Sequence, residues 1–345
     1  MSDRPEKILV IGPSWVGDMV MSQPLYTLLQ QTRPSALIDV LAPAWSQPIL
    51  ARMPEVNHSL TMPVGHGELG LGKRWRIARE LSATRYDQAI LLPNSLKSAL
   101  IPFLARIPLR TGWLGEQRYG LLNDIRRLDA NQYPLMVQRF AALALAPDQP
   151  LPEPLSTPAL QVDLQSAHAT ALRKQLSLDK PILALCPGAE FGGAKCWPAL
   201  HYAQLADAYT EQGWAVVIYG SANDTAVAQS VLASSARPDT IVDLTGKTSL
   251  DEAVDLLSLA HAVVSNDSGL MHIAAALGVP TVVIYGPTSP DFTPPLSKRA
   301  TVLTSEIDCA PCFQRECPLG HHGCMSQLPA HRVADALDEL LADNA

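Results

Sequence analysis

The sequence predicts an α/β protein built from two doubly wound parallel-sheet domains, and three observations carry that expectation. Apolar runs of strand length alternate with amphipathic stretches of helical period along both halves of the chain. The runs are continuously apolar, as strands covered on both faces by crossover helices must be. A proline-rich stretch divides the 345 residues near their middle, and each half is long enough for its own core.

In order, the first half reads as strand 7–12, helix 19–31, strand 36–42, a short helix at 45–52, helix 73–84, strand 87–92, helix 95–105 and an extended piece at 109–113. Residues 147–158 hold five prolines in twelve positions and form a semi-rigid connector. Beyond it, strands at 181–186, 214–220, 241–243, 262–265 and 280–285 alternate with helices at 198–211, 222–234, 249–259 and 269–277. An amphipathic helix at 329–342 follows. The expected division is 1–155, 156–328, and a terminal 329–345 that packs back on the first half. Two doubly wound domains are expected to place their ligand-binding strand ends across a shared cleft.

Composition narrows the class. At 47% apolar and 17% charged, without a low-complexity tract, the chain is globular. It has no apolar run of membrane-spanning length, and the start lacks the basic, apolar and cleavage regions of a secretory leader. A cytoplasmic protein is expected. The net charge of −7 argues against general nucleic-acid binding. The charge is uneven: residues 1–155 carry 16 basic and 13 acidic side chains (+3), and residues 156–345 carry 10 and 20 (−10). A basic first half points to an anionic partner, either a phosphorylated substrate or an acidic membrane surface; solvated helix faces account for part of the same charge.

The richest segment is 262–287. An apolar strand runs into Asn266-Asp267-Ser268-Gly269, then a helix, then a second apolar strand. A small polar loop ahead of a helix presents backbone N–H groups and partial positive charge, which suits a phosphate or diphosphate. Asp267 would repel that anion, so it more plausibly caps the helix or receives a hydroxyl or an N–H. Gly12 and Gly17 in the first strand–helix loop do not make a dinucleotide or P-loop fingerprint. Asp18 at the helix start is either a capping carboxylate or a general base for a hydroxyl. Lys195, in the glycine-rich loop 188–195, either reaches a phosphate as a point charge or is a surface lysine. Asp224 is a first-turn acid or a ribose acceptor. Thr248 is a possible nucleotide contact, beside a capping box expected from Ser249 and Glu252. Cys309, Cys312, Cys317 and Cys324 lie within sixteen residues. They read as a structural zinc site or as reduced thiols.

Taken together, the motifs resemble the family 9 glycosyltransferases, heptosyltransferases that build the inner core of bacterial lipopolysaccharide. The matching blocks are Gly12-Pro13-Ser14-Trp15-Val16-Gly17-Asp18, Leu92-Pro93-Asn94-Ser95, Lys97-Ser98-Ala99, Arg110-Thr111-Gly112-Trp113, Tyr119-Gly120-Leu121-Leu122-Asn123-Asp124, Cys186-Pro187-Gly188-Ala189-Glu190-Phe191 and Asn266-Asp267-Ser268-Gly269-Leu270-Met271-His272. The resemblance implies a GT-B architecture, two Rossmann-like domains facing a cleft. It implies inverting transfer of L-glycero-D-manno-heptose from ADP-heptose to a lipid-anchored core acceptor at the inner face of the inner membrane. Asp18 matches the base and Lys195 a lysine on the donor diphosphate. Asp267, Ser268, Gly269 and His272 match the donor segment, and Asp224 and Thr248 flank the nucleoside. No cofactor is implied for catalysis, which agrees with the lack of an Asp-x-Asp triplet. Lys97, Arg110, Arg118 and Arg139 are the candidates for gripping the phosphorylated acceptor. Another GT-B sugar-nucleotide enzyme, such as a 2-epimerase, and a non-catalytic zinc-bearing binding protein are the alternatives.

Overall fold

A computed structural model describes residues 4–65, 67–163, 170, 174 and 180–343. The chain divides into two compact units, Met1–Pro158 and Ala159–Ala345. Each is built on one six-stranded, all-parallel sheet.

The first sheet contains β1 (Lys7–Ile11), β2 (Leu37–Ala42), β3 (His58–Thr61), β4 (Gln88–Leu91), β5 (Leu109–Trp113) and β6 (Asp124–Arg126), in the order β3-β2-β1-β4-β5-β6. Its central strands are mostly apolar because helices cover both faces, and Ile8, Leu9, Val10, Ile38, Val40 and Ile90 are fully buried, with Asp39 and Gln88 as buried polar exceptions. Helices Leu71–Thr84 and Leu96–Leu104 pack side by side on one face, contributing Ala78, Leu81, Ala99, Ile101 and Ala105 to a core with Leu9, Ile11 and Leu91.

The single helix expected over 19–31 is two, Val16–Met21 and Gln23–Thr32. Pro24 brings no N–H to the ladder, and at this break the Ser22 hydroxyl and amide both donate to the Met19 carbonyl, at 2.6 and 3.3 Å. The sequence reading missed β3, β6 and the strand Ala300–Thr304. β3 (His-Ser-Leu-Thr) is a half-exposed edge strand and β6 is three residues long, so neither carries an apolar run.

The second sheet contains β7 (Ile182–Cys186), β8 (Ala215–Ile218), β9 (Ile241–Asp243), β10 (Ala262–Asn266), β11 (Thr281–Tyr285) and β12 (Ala300–Thr304), in the order β12-β11-β10-β7-β8-β9. Helix Ala330–Ala342 packs on helix Ala199–Glu211, β11 and β12, and buries Val333, Leu337 and Leu340 in the core of the second unit. Trp197 belongs to that core: it is fully buried and donates its indole N–H to the Leu328 carbonyl at 2.8 Å. No helix among the described residues is long and apolar enough to cross a membrane.

Arg118 braces the loops at the carboxyl ends of β4 and β5. It is 0% exposed, with Nη1 donating to the Pro93 carbonyl at 2.7 Å and to Ser98 Oγ at 3.1 Å, and Nη2 to the Trp113 carbonyl at 2.5 Å. Removing one side chain therefore orphans several buried acceptors. Arg118→Ala is expected to destabilise the first unit by about 3 kcal/mol or more. Arg118→Lys should recover only part of this, since an ammonium lacks the planar fork that reaches three acceptors. Denaturant titration followed by circular dichroism checks both, and an unchanged midpoint for the alanine variant would remove Arg118 as a brace.

Candidate functional site

A doubly wound sheet binds ligands where neighbouring crossovers leave for opposite faces, at the carboxyl ends of the strands. In the first sheet that point lies between β1 and β4, and in the second between β10 and β7. Asp18 and Lys97 lie at the first of these points, and Lys195, Asp267 and Ser268 at the second.

At the first point, β1 ends at Ile11 and the chain turns through Gly12. A Cβ on Gly12 would stand 3.0 Å from the Ala42 side chain and 3.1 Å from Met19, so glycine lets the loop close on the sheet. Trp15, in extended conformation, holds the N-cap position of helix Val16–Met21. Asp18 is thus not the cap: it sits half-buried inside the first turn, third in the helix. Across the same point, β4 leads through Pro93 and Asn94 into helix Leu96–Leu104, with half-buried Lys97 in its first turn.

Of the three arginines read as gripping acceptor phosphates, Arg118 requires correction. Arg118 is wholly internal, as described above. Arg110 donates Nε to the Leu121 carbonyl and Nη1 to the Ile107 carbonyl, each at 2.6 Å, and covers the Phe103 ring. Arg139 donates Nε to the Tyr133 carbonyl at 2.9 Å. Each guanidinium holds loop backbone in place, where carbonyls with no ladder partner need donors. Lys97 is the candidate of the four whose side chain is not committed in this way among the described contacts.

At the second point the geometry is tighter. Lys195, from the loop after β7, donates Nζ to Asp267 Oδ2 at 2.6 Å and to the Asp267 carbonyl at 3.3 Å. Both side chains are nearly closed to solvent, at 12% and 6% exposure. Thr288 Oγ1 donates to the same Asp267 oxygen at 2.7 Å, and the Phe191 ring lies 5.0 Å from the ammonium. Asp267 therefore does not cap the following helix; it receives a hydroxyl and orients the lysine. Ser268 holds the N-cap position of helix Gly269–Ala276 without a side-chain cap bond, directly after the Asp267 carbonyl that Lys195 meets.

Asn266 fastens this arrangement. It is fully buried, donates Nδ2 to the Pro187 carbonyl at 2.6 Å, and accepts at Oδ1 from Trp197 N–H and Tyr202 Oη, both at 3.1 Å. It locks the end of β10 to the loop that carries Lys195. His272, one turn into the helix, is buried. Burial, helped by Lys195 and opposed by Asp267, pulls its imidazole down to about 4, so it is neutral at physiological pH.

Asp224 lies between two glycines, and a Cβ on Gly188 would fall 2.1 Å from its carboxylate. Its Oδ2 accepts from Ser221 N–H at 2.7 Å and Ser221 Oγ at 2.8 Å, the first-turn role that was one of its two readings. Thr248 is half-buried ahead of the helix Leu250–Ser258, whose Ser249–Glu252 capping box is present. Thr288 is a site residue that the sequence reading did not name, and Asn266 and Phe191, which stand in its matching blocks, were given no role there. A polar side chain directly ending an apolar strand was the available signal for Asn266; Thr288 gave none.

Cys309, Cys312, Cys317 and Cys324 are free thiols. Among the described residues no group of three or more His, Cys, Asp or Glu side chains is placed to hold a metal ion. Backbone N–H groups, that of His322 first, lower the pKa of the Cys317 thiol.

Residues 74–322 match the model of glycosyltransferase family 9 (heptosyltransferase). The chain is 49% identical over 342 residues to lipopolysaccharide heptosyltransferase 2 of Escherichia coli K12, covering 97% of this chain and 98% of that one. It is 48% identical to lipooligosaccharide heptosyltransferase 2 of Haemophilus ducreyi, covering 97% and 99%. The solved structure of E. coli ADP-heptose lipopolysaccharide heptosyltransferase II superposes with a TM-score of 0.88 at 47% identity, covering 98% of this chain and 99% of that one. The two six-stranded parallel sheets are the Rossmann-like pair of the GT-B fold. With the strand order, the switch-point residues and these similarities in agreement, the chain belongs to glycosyltransferase family 9, the heptosyltransferases.

Proposed function

We propose that this chain transfers L-glycero-D-manno-heptose from ADP-heptose to the first heptose of the lipopolysaccharide inner core, inverting the anomeric centre, at the cytoplasmic face of the inner membrane. The observation that carries the reading is the Lys195–Asp267 pair at the start of helix Gly269–Ala276. A cation held by a buried carboxylate beside unused helix N–H groups is a preformed seat for a diphosphate leaving group.

The chemistry divides between the two units. Asp18 takes the proton from the acceptor hydroxyl as its oxygen attacks the anomeric carbon. The bond from that carbon to the ADP oxygen breaks on the opposite face, through a transition state with oxocarbenium character. Negative charge grows on the departing diphosphate. The Lys195 ammonium and the Ser268–Gly269 helix start meet it without reorganising, because Asp267, Thr288 and Asn266 have already fixed them. Asp267 serves this by orienting the lysine and does not itself meet the phosphate. His272 adds no charge at neutral pH and so does not compete for the anion. Asp224 and Thr248, on the loops after β8 and β9, line the adenosine, and Lys97 meets the acceptor.

Asp18→Asn keeps the side-chain shape and loses the base. Heptose transfer to a heptose-deficient acceptor, read by mass spectrometry, is expected to fall by about 10² to 10⁴; a variant with full turnover would dismiss Asp18. Lys195→Ala should lower kcat by about a hundredfold, the loss of about 3 kcal/mol of charge stabilisation. Release of free sugar without acceptor, at the rate of transfer, would favour a sugar-nucleotide hydrolase or epimerase.

His272 also makes stability depend on pH. Its ordinary value of 6.5 applies to the unfolded chain and about 4 to the folded one. The unfolded state therefore binds the extra proton, and stability is lost as pH falls through that window, by up to about 3 kcal/mol. In His272→Gln the drop in heat-unfolding midpoint between neutral pH and about pH 5 should shrink. An identical drop in both proteins would assign the acid sensitivity elsewhere.

A further inference from the structure

Arg118 is internal, and Arg110 and Arg139 are bound to backbone carbonyls, so these three make up little of the exposed basic surplus of the first unit. That surplus lies elsewhere. Residues 71–110 expose five basic side chains, Lys73, Arg76, Arg79, Arg85 and Arg106, against one exposed acid, Glu80 (5 − 1 = +4), in a chain whose net charge is −7. Helices Leu71–Thr84 and Leu96–Leu104 supply most of that segment and lie side by side on one face of the first sheet. Their outward sides therefore make one continuous surface, bridged where Arg74 Nη1 donates to the Lys97 carbonyl at 3.0 Å.

That surface is apolar as well as cationic. Leu71 and Trp75 are 58% and 53% exposed, spaced i and i+4 on the first helix. Leu96, Phe103 and Leu104 are 40%, 43% and 41% exposed along one side of the second, with Leu109 at 41% beyond its end. Arg79 covers the Trp75 ring at 5.0 Å and Arg110 the Phe103 ring at 5.6 Å. Arg76, Arg85 and Arg106 are exposed; Glu80 is exposed on the same helix, and Lys73 pairs with Glu68. Large apolar side chains ringed by arginines suit an interface where hydrocarbon meets anionic headgroups. A purely polar anion would leave the Trp, Phe and Leu side chains without a purpose, and a neutral protein face would leave the cations unpaired.

We propose that the outer faces of helices Leu71–Thr84 and Leu96–Leu104 form a docking surface for an anionic lipid bilayer, with Trp75, Phe103 and Leu104 inserting below the headgroups and Arg76, Arg79, Arg85 and Arg106 pairing with them. This deepens the proposed function, since it rests on an acceptor held in a membrane. Both helices begin at the carboxyl ends of their preceding strands, so the Leu71, Trp75 and Leu96 end of the surface adjoins the pole of the sheet that carries Asp18 and Lys97, while Arg85, Phe103, Leu104 and Arg106 lie toward the other pole.

The test is co-sedimentation of the full chain with phosphatidylcholine vesicles, with and without phosphatidylglycerol. Binding is expected only with phosphatidylglycerol and should weaken as salt rises. Arg76→Gln with Arg79→Gln should reduce the partition by about thirtyfold, and Trp75→Ser with Phe103→Ser by about tenfold or more. Transfer to a lipid-free core oligosaccharide should stay as in the wild type. Wild-type protein remaining in the supernatant, or variants partitioning normally, would overturn the surface. So would variants whose main change is loss of self-association in sedimentation velocity, or loss of transfer to the lipid-free acceptor. Lack of any wild-type transfer to that acceptor, with vesicle binding intact, would count against the proposed function and leave the surface standing.

Discussion

Parallel pairing is the constraint on which the rest depends. A strand that pairs in parallel with its neighbour cannot return by a hairpin, so each strand end must pass its chain to a crossover on one face or the other. Where the crossovers from β7 and β10 part to opposite faces, two loops are left with backbone groups that no ladder satisfies. Asn266 resolves much of this by serving a carbonyl, an amide and a phenol at once. Because that junction is rigid, Lys195 and Asp267 can be held together in a place nearly closed to water, where an unpaired charge would be costly. The charge arrangement therefore follows from strand topology.

The first unit solves the same problem differently. Its loops at the strand ends are knitted by arginines, with Arg118 entirely internal and Arg110 and Arg139 bound to carbonyls. Guanidinium groups suit this because they offer several donors in fixed directions. A cation count from sequence mixes these internal braces with the solvent-facing charge of Arg76, Arg79, Arg85 and Arg106. The two populations do unrelated work.

That mixture marks the boundary of what was legible. Buried strands such as Leu183-Ala184-Leu185 and Val263-Val264 announce themselves by unbroken apolar runs, and the strand-to-helix loops bearing Asp18, Lys195 and Asp267 follow directly from them. The Ser249–Glu252 cap was legible for the same local reason. Edge strands such as His58–Thr61 were not, because half their surface faces solvent and imposes no hydrophobic pattern. Nor were partnerships across long sequence separations: Thr288 meets Asp267 21 positions away, and the Arg118 donors reach carbonyls fixed by other loops. Pattern reading finds elements; it does not find which side chains those elements bring into contact.

The indole of Trp197 has a further consequence. It stands two residues from Lys195 in sequence, yet its hydrogen-bond acceptor at Leu328 is separated from it by 131 positions. During synthesis, which proceeds from the amino end, the lysine segment emerges long before the carbonyl that anchors it. The nascent second unit must keep Trp197 out of competing contacts until β12 and the helix behind Leu328 have been made. Slow, late-closing contacts of this kind are where a parallel α/β protein is most exposed to misassembly and most dependent on chaperones.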